Sequence, residues 1–553
     1  MKRHVLWVAI LATLISCRNQ PEIKSTDNST PAWYKQQVIY NLDVKVFKDS
    51  NGDGLGDFKG LTQKLGYLDS LGITTIWLAP FQPSPWADDG YDVTSYNEVD
   101  PRLGTQADFH QFIQAARQRH MRVMIDIALN HSSIKHPWFR QRPDWYVWSV
   151  KRPADWNKGM GFPEVEKQSW MKDSVTGNYY FHRFYHFQPD LNFQNPAVLA
   201  EAKRILAFWL EQGVDGFRLD AVPFIIDDPL PSAEDPRHHF KILHELALSA
   251  RKIKSDVALL GEANVKPEET KDYFSRKGEG LDMMLNFEVN EYLFYALATG
   301  DAQPLKEALQ ATAEKPRHDQ WIYFLRNHDE IDLGKLSGSQ IKKVFAAMGP
   351  DTNMQLYKRG IRRRLASMLD NDFKRIKQSY SILFALPGTP VVRYGDEIGM
   401  GDDLKLKERF SVRTPMQWDA SLNSGFSMAS RPIRPIISQG DYSYQKINVQ
   451  KQARDSSSLL RFVSDMIRLR KNHPEIAQGV WDMPDVGNKH CLALRHRDKL
   501  ITVFNFSNGP QKVHLPLSSN SLKDLITGQK LPVTNSNELS LPAYAGYWLY
   551  TGN

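Results

Sequence analysis

Gly216-Phe217-Arg218-Leu219-Asp220-Ala221-Val222 is a short apolar run that ends by presenting an Arg and an Asp. Side chains alternate along a strand, so Arg218 and Asp220 share one face. Two more acids close short apolar stretches: Glu262 in Leu259-Leu260-Gly261-Glu262-Ala263, and Asp329 in Phe324-Leu325-Arg326-Asn327-His328-Asp329. Three acids at strand ends on one rim of a barrel are suited to splitting a glycosidic bond. One Asp attacks the anomeric carbon and one Glu protonates the leaving oxygen. The third binds sugar hydroxyls and supports the charge of the transition state.

Outward from this run, short apolar stretches alternate with longer amphipathic ones between Val38 and Glu397. Strands are predicted at Val38–Phe47, Thr74–Pro80, Arg122–Asn130, Gly216–Val222, Ala258–Ala263, Met283–Val289, Trp321–His328 and Pro390–Glu397. Helices are predicted between them, among others at Phe58–Leu71, Gln106–Arg119, Pro196–Gln212, Phe240–Ile253 and Lys374–Leu386. Eight such units predict an α/β fold, a (β/α)8 TIM barrel, with its active site at the C-terminal ends of the strands. Residues 33–130 and 196–478 make up this barrel. The stretch 131–195, rich in Trp, Tyr, Phe and Pro, interrupts the rhythm after the third strand. It is long enough to be a small subdomain beside the cleft. Residues 479–553 carry short strand-like runs separated by Gly, Asn, Ser and Pro, which predicts a C-terminal antiparallel β-sandwich domain.

The chain has 553 residues, 41% of them hydrophobic, and 14 Trp. It can bury a large core, and its aromatic rings also suit the faces of sugars. A net charge of +7 is modest for this size, and the basic residues are scattered. No nucleic-acid-binding module is present. Lys2, Arg3 and His4 precede an apolar run, Val5 to Ile15, that is too short to span a bilayer and reads as a secretory signal peptide. The run ends Leu14-Ile15-Ser16-Cys17, which resembles a bacterial lipobox. Residues 1–17 are therefore expected to be a lipoprotein signal whose Cys17 is acylated, and 18–32 a flexible tether. The expected address is the cell envelope, with membrane contact through the lipid alone. Cys491 is the other cysteine, so no intrachain disulfide is expected.

The motifs Asp126-Ile127-Ala128-Leu129-Asn130-His131, Gly216–Asp220, Gly261-Glu262-Ala263-Asn264 and Arg326-Asn327-His328-Asp329, with Gln188-Pro189-Asp190-Leu191-Asn192, resemble the ordered signature regions of glycoside hydrolase family 13, the α-amylase superfamily. Within it, the stretches Trp77–Pro85, Asn130–Phe139, Gly360–Ala366 and Val412–Trp418 resemble the trehalose synthase branch. The resemblance implies that Asp220 is the nucleophile, Glu262 the acid and then base, and Asp329 the residue that holds the ring hydroxyls. Arg218 would keep Asp220 ionised. His131 and His328 would donate to the same sugar. Asp88 and Tyr91 would close the blind end of the pocket, with Arg413 pairing to Asp88, and Phe162, Phe184 and Gln188 would line it from the subdomain. The implied substrates are small α-glucosides: maltose, malto-oligosaccharides and trehalose. No organic cofactor is implied, and nothing specifies an oligomeric state.

The loop Asp49-Ser50-Asn51-Gly52-Asp53-Gly54-Leu55-Gly56-Asp57 sets oxygen side chains at alternate positions with glycines in the turn. That suits a hard cation, and Asp49, Asn51, Asp53, Leu55 and Asp57 are expected to hold a structural Ca²⁺. By resemblance, Asn130, Asp190 and Asp227 are a second candidate set. The sequence departs from the trehalose synthase pattern at 227–236 and at Arg409-Phe410-Ser411. Both stretches are expected to border the acceptor side, which decides whether water or a retained glucose captures a glucosyl-enzyme. An exported α-glucosidase or α-amylase is therefore the rival reading. An inactive sugar-binding protein is opposed by the intact acids.

Overall fold

The computed structural model describes residues 32–228, 238–274, 279–497, 500–516, 521–532 and 537–550. The leader, Cys17, residues 18–31 of the tether and residues 229–236 of the departing loop lie outside the described residues.

Eight parallel strands close a barrel: β1 (Ile39–Leu42), β2 (Thr75–Leu78), β3 (Arg122–Ile127), β4 (Gly216–Leu219), β5 (Ala258–Gly261), β6 (Met283–Leu285), β7 (Gln320–Phe324) and β8 (Thr389–Arg393). Each pairs with its sequence neighbour, and β1 closes on β8 with Ile39 opposite Val391. Alternation divides each strand between two cores. Ile39, Trp77, Met124, Ala258, Leu260, Met283, Leu285, Ile322, Phe324 and Val391 fill the barrel. The intervening Tyr40, Ile76, Ile125, Phe217, Leu259 and Tyr323 pack outward in the main core, which the helices share. Trp33–Gln36, a single helical turn, plugs the bottom, where Thr389 Oγ1 donates to the Tyr34 carbonyl at 2.8 Å. The same parity carries Asp126, Arg218 and, one step beyond the strand ends, Asp220 and Glu262 to the upper mouth.

The strands stop earlier than the apolar runs suggest. Asn286 ends β6 by capping the helix Phe287–Thr299, its side chain accepting from the Val289 amide at 2.9 Å. The expected helix over Phe58–Leu71 is two, Phe58–Gln63 and Leu65–Leu71, broken at Lys64, whose amine lies over the Trp418 ring.

Residues 131–195 contain a three-stranded antiparallel sheet of Trp148–Ser149, Tyr179–Phe181 and Trp170–Lys172. A second small sheet, outside the sequence expectation, follows β7: Ile331–Asp332, Gly360–Ile361 and Gln355–Leu356. The C-terminal region packs a six-stranded sheet against the pair Gln511–His514 and Glu538–Leu541 around Val503, Val513, Leu539 and Leu549. Cys491 is a buried free thiol in that core.

Candidate active site

Asp220 follows β4 directly. The next residue, Ala221, sits in the left-handed region (φ 50°, ψ 41°), a conformation that costs a non-glycine residue about 1–3 kcal/mol. The turn aims the Ala221 amide at Glu262 Oε2, 3.1 Å away. Arg218, fully buried, is the hub below both acids. Its Nη1 donates to Asp126 Oδ1 at 2.8 Å and to Asp220 Oδ1, and its Nη2 lies 2.9 Å from Glu262 Oε2. Asp126 is completed by the Tyr91 hydroxyl at 2.9 Å and Trp77 Nε1 at 3.3 Å.

Electrostatics separate the three acids. Burial pushes Glu262 up to about 7, against the pull of Arg218. Burial likewise raises Asp220, to about 6, and Arg218 again opposes it. For Asp329 burial is overcome: His328, Arg409 and Arg413 hold its carboxyl well below the ordinary range. One acid is thus poised to carry a proton near neutrality while another stays charged.

Asp329 and Asp88 are joined by Arg409. Its Nη1 donates to Asp329 Oδ1 at 2.7 Å and its Nη2 to Asp88 Oδ1 at 2.5 Å. This corrects the expected pairing of Arg413 with Asp88. Arg413 instead donates to Asp89 Oδ2 at 2.9 Å, to the His328 carbonyl at 2.7 Å and to Asp329 Oδ1 at 3.1 Å. Arg409, on the helical turn Glu408–Val412, lines the same cavity as Asp88, whereas Arg413, the residue after that turn, is engaged by Asp89. Gln188 Nε2 donates to the other Asp88 oxygen at 3.0 Å. Tyr91 stacks on His328, with ring centres 5.3 Å apart and planes 17° from parallel. His131 is buried with Nε2 unpartnered, and burial lowers its pKa to about 4, so it is neutral.

Asp88, Tyr91, His131, Phe162, Phe184, Asp220, Glu262, His328 and Asp329 all line one cavity of about 520 Å³, with Arg409 and Phe224. Gln188, Arg218 and Arg413 stand behind that wall. Over the cavity, the subdomain meets the hairpin Gln355–Ile361. Phe162 stacks on Tyr357 at 4.5 Å, and Tyr357 and Tyr185 both donate to Glu408 Oε2, Tyr357 at 3.0 Å. Tyr357, Lys358 and Glu408 all have positive φ, so the contact concentrates backbone strain. The sequence reading missed Arg409 as a site residue, although its surrounding triplet stood out. It missed Tyr185, Tyr357 and Glu408 altogether.

The candidate metal ligands are differently placed. Asp49 accepts from the amides of Asn51, Gly52 and Gly54 and from Ser427 Oγ, which curls the loop around its carboxylate. Asn51 and Asp53 lie side by side at 3.1 Å. Asp57 caps Phe58–Gln63, accepting from the Gly60 amide at 2.7 Å, and closes the loop by accepting from the amide and hydroxyl of Ser50. Asn130 Nδ2 reaches Asp190 at 3.2 Å, whereas Asp227 pairs with His238 at 2.5 Å. Arg183 brings its charge to both Asp190 and Asp227. Among the described residues no group of three or more His, Cys, Asp or Glu side chains is placed to share a metal ion.

With this geometry in hand, comparison with known proteins is decisive at the level of family. The model of the α-amylase catalytic domain matches residues 42–363 and 361–479. The chain belongs to the α-amylase family. A trehalose synthase from Thermus thermophilus is 40% identical over 504 residues, covering 88% of this chain, which spans 52% of that longer protein. A trehalose synthase/amylase from Mycobacterium tuberculosis is 37% identical over 546 residues, covering 94% of this chain and 90% of the relative. The crystal structure of a trehalulose synthase from Pseudomonas mesoacidophila superposes with a TM-score of 0.78 at 25% identity, covering 94% of this chain and all of that one. The protein is thus an α-amylase-family enzyme similar to trehalose synthases.

Proposed function

We propose that the enzyme converts maltose to trehalose by retaining transfer through a covalent intermediate, with hydrolysis as a side reaction. Arg218 binds Asp220 Oδ1, so Oδ2 is the oxygen left for attack on the anomeric carbon. The C1–O bond breaks as Glu262 gives its proton to the departing glucose oxygen, leaving a glucosyl ester on Asp220. Glu262, now a carboxylate, then takes the proton from the anomeric hydroxyl of the retained glucose. That oxygen attacks C1, the ester breaks, and Asp220 is freed. Two displacements at one carbon restore the α configuration. Asp329 and Asp88, locked together by Arg409, would hold the donor ring's hydroxyls at the blind end.

The observation that carries isomerisation over hydrolysis is the roof of Phe162, Tyr185, Tyr357 and Glu408. Through Phe162 it covers part of a cavity of about 520 Å³, large enough for a released glucose to turn within it. Such cover would slow the escape of the second sugar and limit the entry of water. The test is incubation with maltose, scoring trehalose against glucose over time. Trehalose as the main product supports the reading, whereas glucose alone refutes it and makes the protein an exported α-glucosidase or α-amylase.

Two structural roles complete the proposal. Ca²⁺ would bind the loop through Asp49, Asn51, Asp53 and the Leu55 carbonyl, a hard-oxygen set that suits it, with Asp57 already committed to its helix cap. The ion would stabilise the loop and take no part in the reaction. The chain would be exported and held at the cell envelope by a lipid on Cys17. Labelled palmitate should enter the wild type and not Cys17→Ala, and equal labelling of both would refute the anchor.

A further inference from the structure

Behind the sugar-facing wall, three arginines are buried together. Arg326 lies just beyond β7, Arg393 ends β8, and Arg364 precedes the short helix Leu365–Met368. They are 1%, 2% and 1% exposed, respectively. Burial lowers the Arg326 pKa to about 10. Asp396 opposes that shift and the charges of Arg364 and Arg393 add to it, so the group lies within electrostatic reach.

Protein partners satisfy only part of this cluster. Arg326 Nη2 donates to the Asp329 carbonyl at 2.6 Å, and Arg393 Nη1 to Asn41 Oδ1 at 2.7 Å. Arg364 Nη1 donates to the Tyr394 carbonyl and to Asp396 Oδ1, each at 2.8 Å. Arg364 thus has a carboxylate partner, whereas Arg326 and Arg393 have none within 4.0 Å among the described residues. Among the described residues, Nε and Nη1 of Arg326, and Nε and Nη2 of both Arg364 and Arg393, find no hydrogen-bond partner. Against these six nitrogens stand three unmatched carboxylate oxygens, Asp396 Oδ2, Glu397 Oε2 and Glu330 Oε2.

Arg326 senses Asp396 and Glu330, and Arg393 senses Asp43, only from beyond ion-pair distance, so two buried guanidinium ions lack a counter-charge in contact, which a protein interior penalises heavily. Water relieves it poorly. A water molecule donates as well as accepts, and acceptors are scarce here. An anion only accepts, and it supplies the missing charge. The space is tight: a Cβ built on Gly395 would lie 2.4 Å from Met400 Sδ and 3.2 Å from Arg364 Nη1. We propose that Arg326, Arg364 and Arg393 form a binding site for a small monovalent anion of chloride size. Because Arg326 also holds the Asp329 carbonyl, the bound anion would steady the loop that carries that acid.

The experiment uses the whole folded chain. Crystals soaked in bromide should show an anomalous peak within hydrogen-bond distance of at least two of these guanidinium groups. In solution, replacing potassium acetate by potassium chloride at constant ionic strength should raise Tm saturably, by about 2–3 °C at concentrations well above Kd. Arg393→Met should lose that response. No bromide at the arginines, with water alone in the density, would overturn the proposal, as would an unchanged chloride response in Arg393→Met. If that variant fails to fold, the bromide measurement on the wild type decides alone.

Discussion

Replacing Arg409 by Met should cost the enzyme about 10- to 100-fold in kcat/KM at pH 7, mainly in kcat. Arg409 bridges Asp88 and Asp329 at 2.5 and 2.7 Å in a site nearly closed to solvent. Asp329 would still keep His328 and Arg413, at 2.9 and 3.1 Å, and stay ionised. Among the described residues Asp88 would keep no cation in hydrogen-bond contact, only Gln188 at 3.0 Å. Burial already raises Asp88 to about 6 while Arg409 holds it down, so its loss should leave Asp88 protonated at neutral pH. A hydrogen bond from a sugar hydroxyl to a charged acceptor is worth about 1.5–3 kcal/mol, and to a neutral one about 1 kcal/mol. The difference is about 0.5–2 kcal/mol, and the looser seating of Asp329 adds to it, which brings the expected loss to about 1.4–2.8 kcal/mol, the stated factor. The guanidinium also lies 5.0 Å from the Phe162 ring, so the roof should loosen and the ratio of glucose to trehalose should rise. Arg409→Lys keeps the charge without the fork and should recover only part of the rate. The assay is product formation from maltose for both variants, with circular dichroism at the assay temperature to confirm folding. A folded Arg409→Met with kcat/KM within about threefold of wild type, below the 1.4 kcal/mol that marks a tenfold effect, would refute the clamp.

Asp220→Asn should lower kcat by about 10⁴-fold or more while maltose binding remains measurable by calorimetry, and wild-type turnover would remove Asp220 from the nucleophile role. The pH profile of kcat/KM should be a narrow bell. Activity falls below about pH 6 as Asp220 takes up a proton and above about pH 7 as Glu262 loses one, the two limbs belonging to the coupled pair. With α-glucosyl fluoride, whose leaving group needs no proton, the alkaline limb should weaken, and an unchanged limb would point to another acid. A chelator should lower Tm, and Asp49→Asn should abolish that sensitivity; an unaltered Tm after complete ion removal would exclude calcium from the loop. Arg470, buried, donates through Nη1 to the carbonyls of Phe384 and Leu386 and through Nη2 to that of Gly388, capping the end of the helix Phe373–Ala385. Arg470→Ala should cost about 2–4 kcal/mol of stability in denaturant melts without altering KM, and a loss under 0.5 kcal/mol would make the cap dispensable.

The barrel was legible in the sequence because its information is local. A strand buried on both faces is a short apolar run, and β4 needs only Gly216 to Leu219 to be recognised. Where the run breaks into polar residues, the strand has reached the rim, so Asp220 and Glu262 could be placed from sequence alone. Parity then put Arg218 under Asp220, where the structure has it. The overrun at β6 has an equally local cause. Leu285 and Phe287 continue the apolar pattern, and only the capping bond of Asn286 shows that a helix has begun.

The roof and the clamp were not legible, because neither is local. Tyr185 and Tyr357 are 172 residues apart, and Arg409 and Asp88 are 321. No periodicity reports a contact between loops on different parts of a barrel. The choice between Arg409 and Arg413 as the partner of Asp88 shows why. Arg409 sits on a short turn and Arg413 directly follows it, both are buried, and both reach Asp329. What separates them is that Asp89, with φ 55°, turns its carboxylate the other way, into Arg413, Arg434 and Lys45. One residue in the left-handed region thus sorts two adjacent acids onto two different arginines. The consequence can be checked: Asp89→Asn should free Arg413 to compete for Asp88. It should therefore lessen the kcat defect of Arg409→Met in the double variant, whereas strictly additive losses would mean that the two arginines never share that carboxylate.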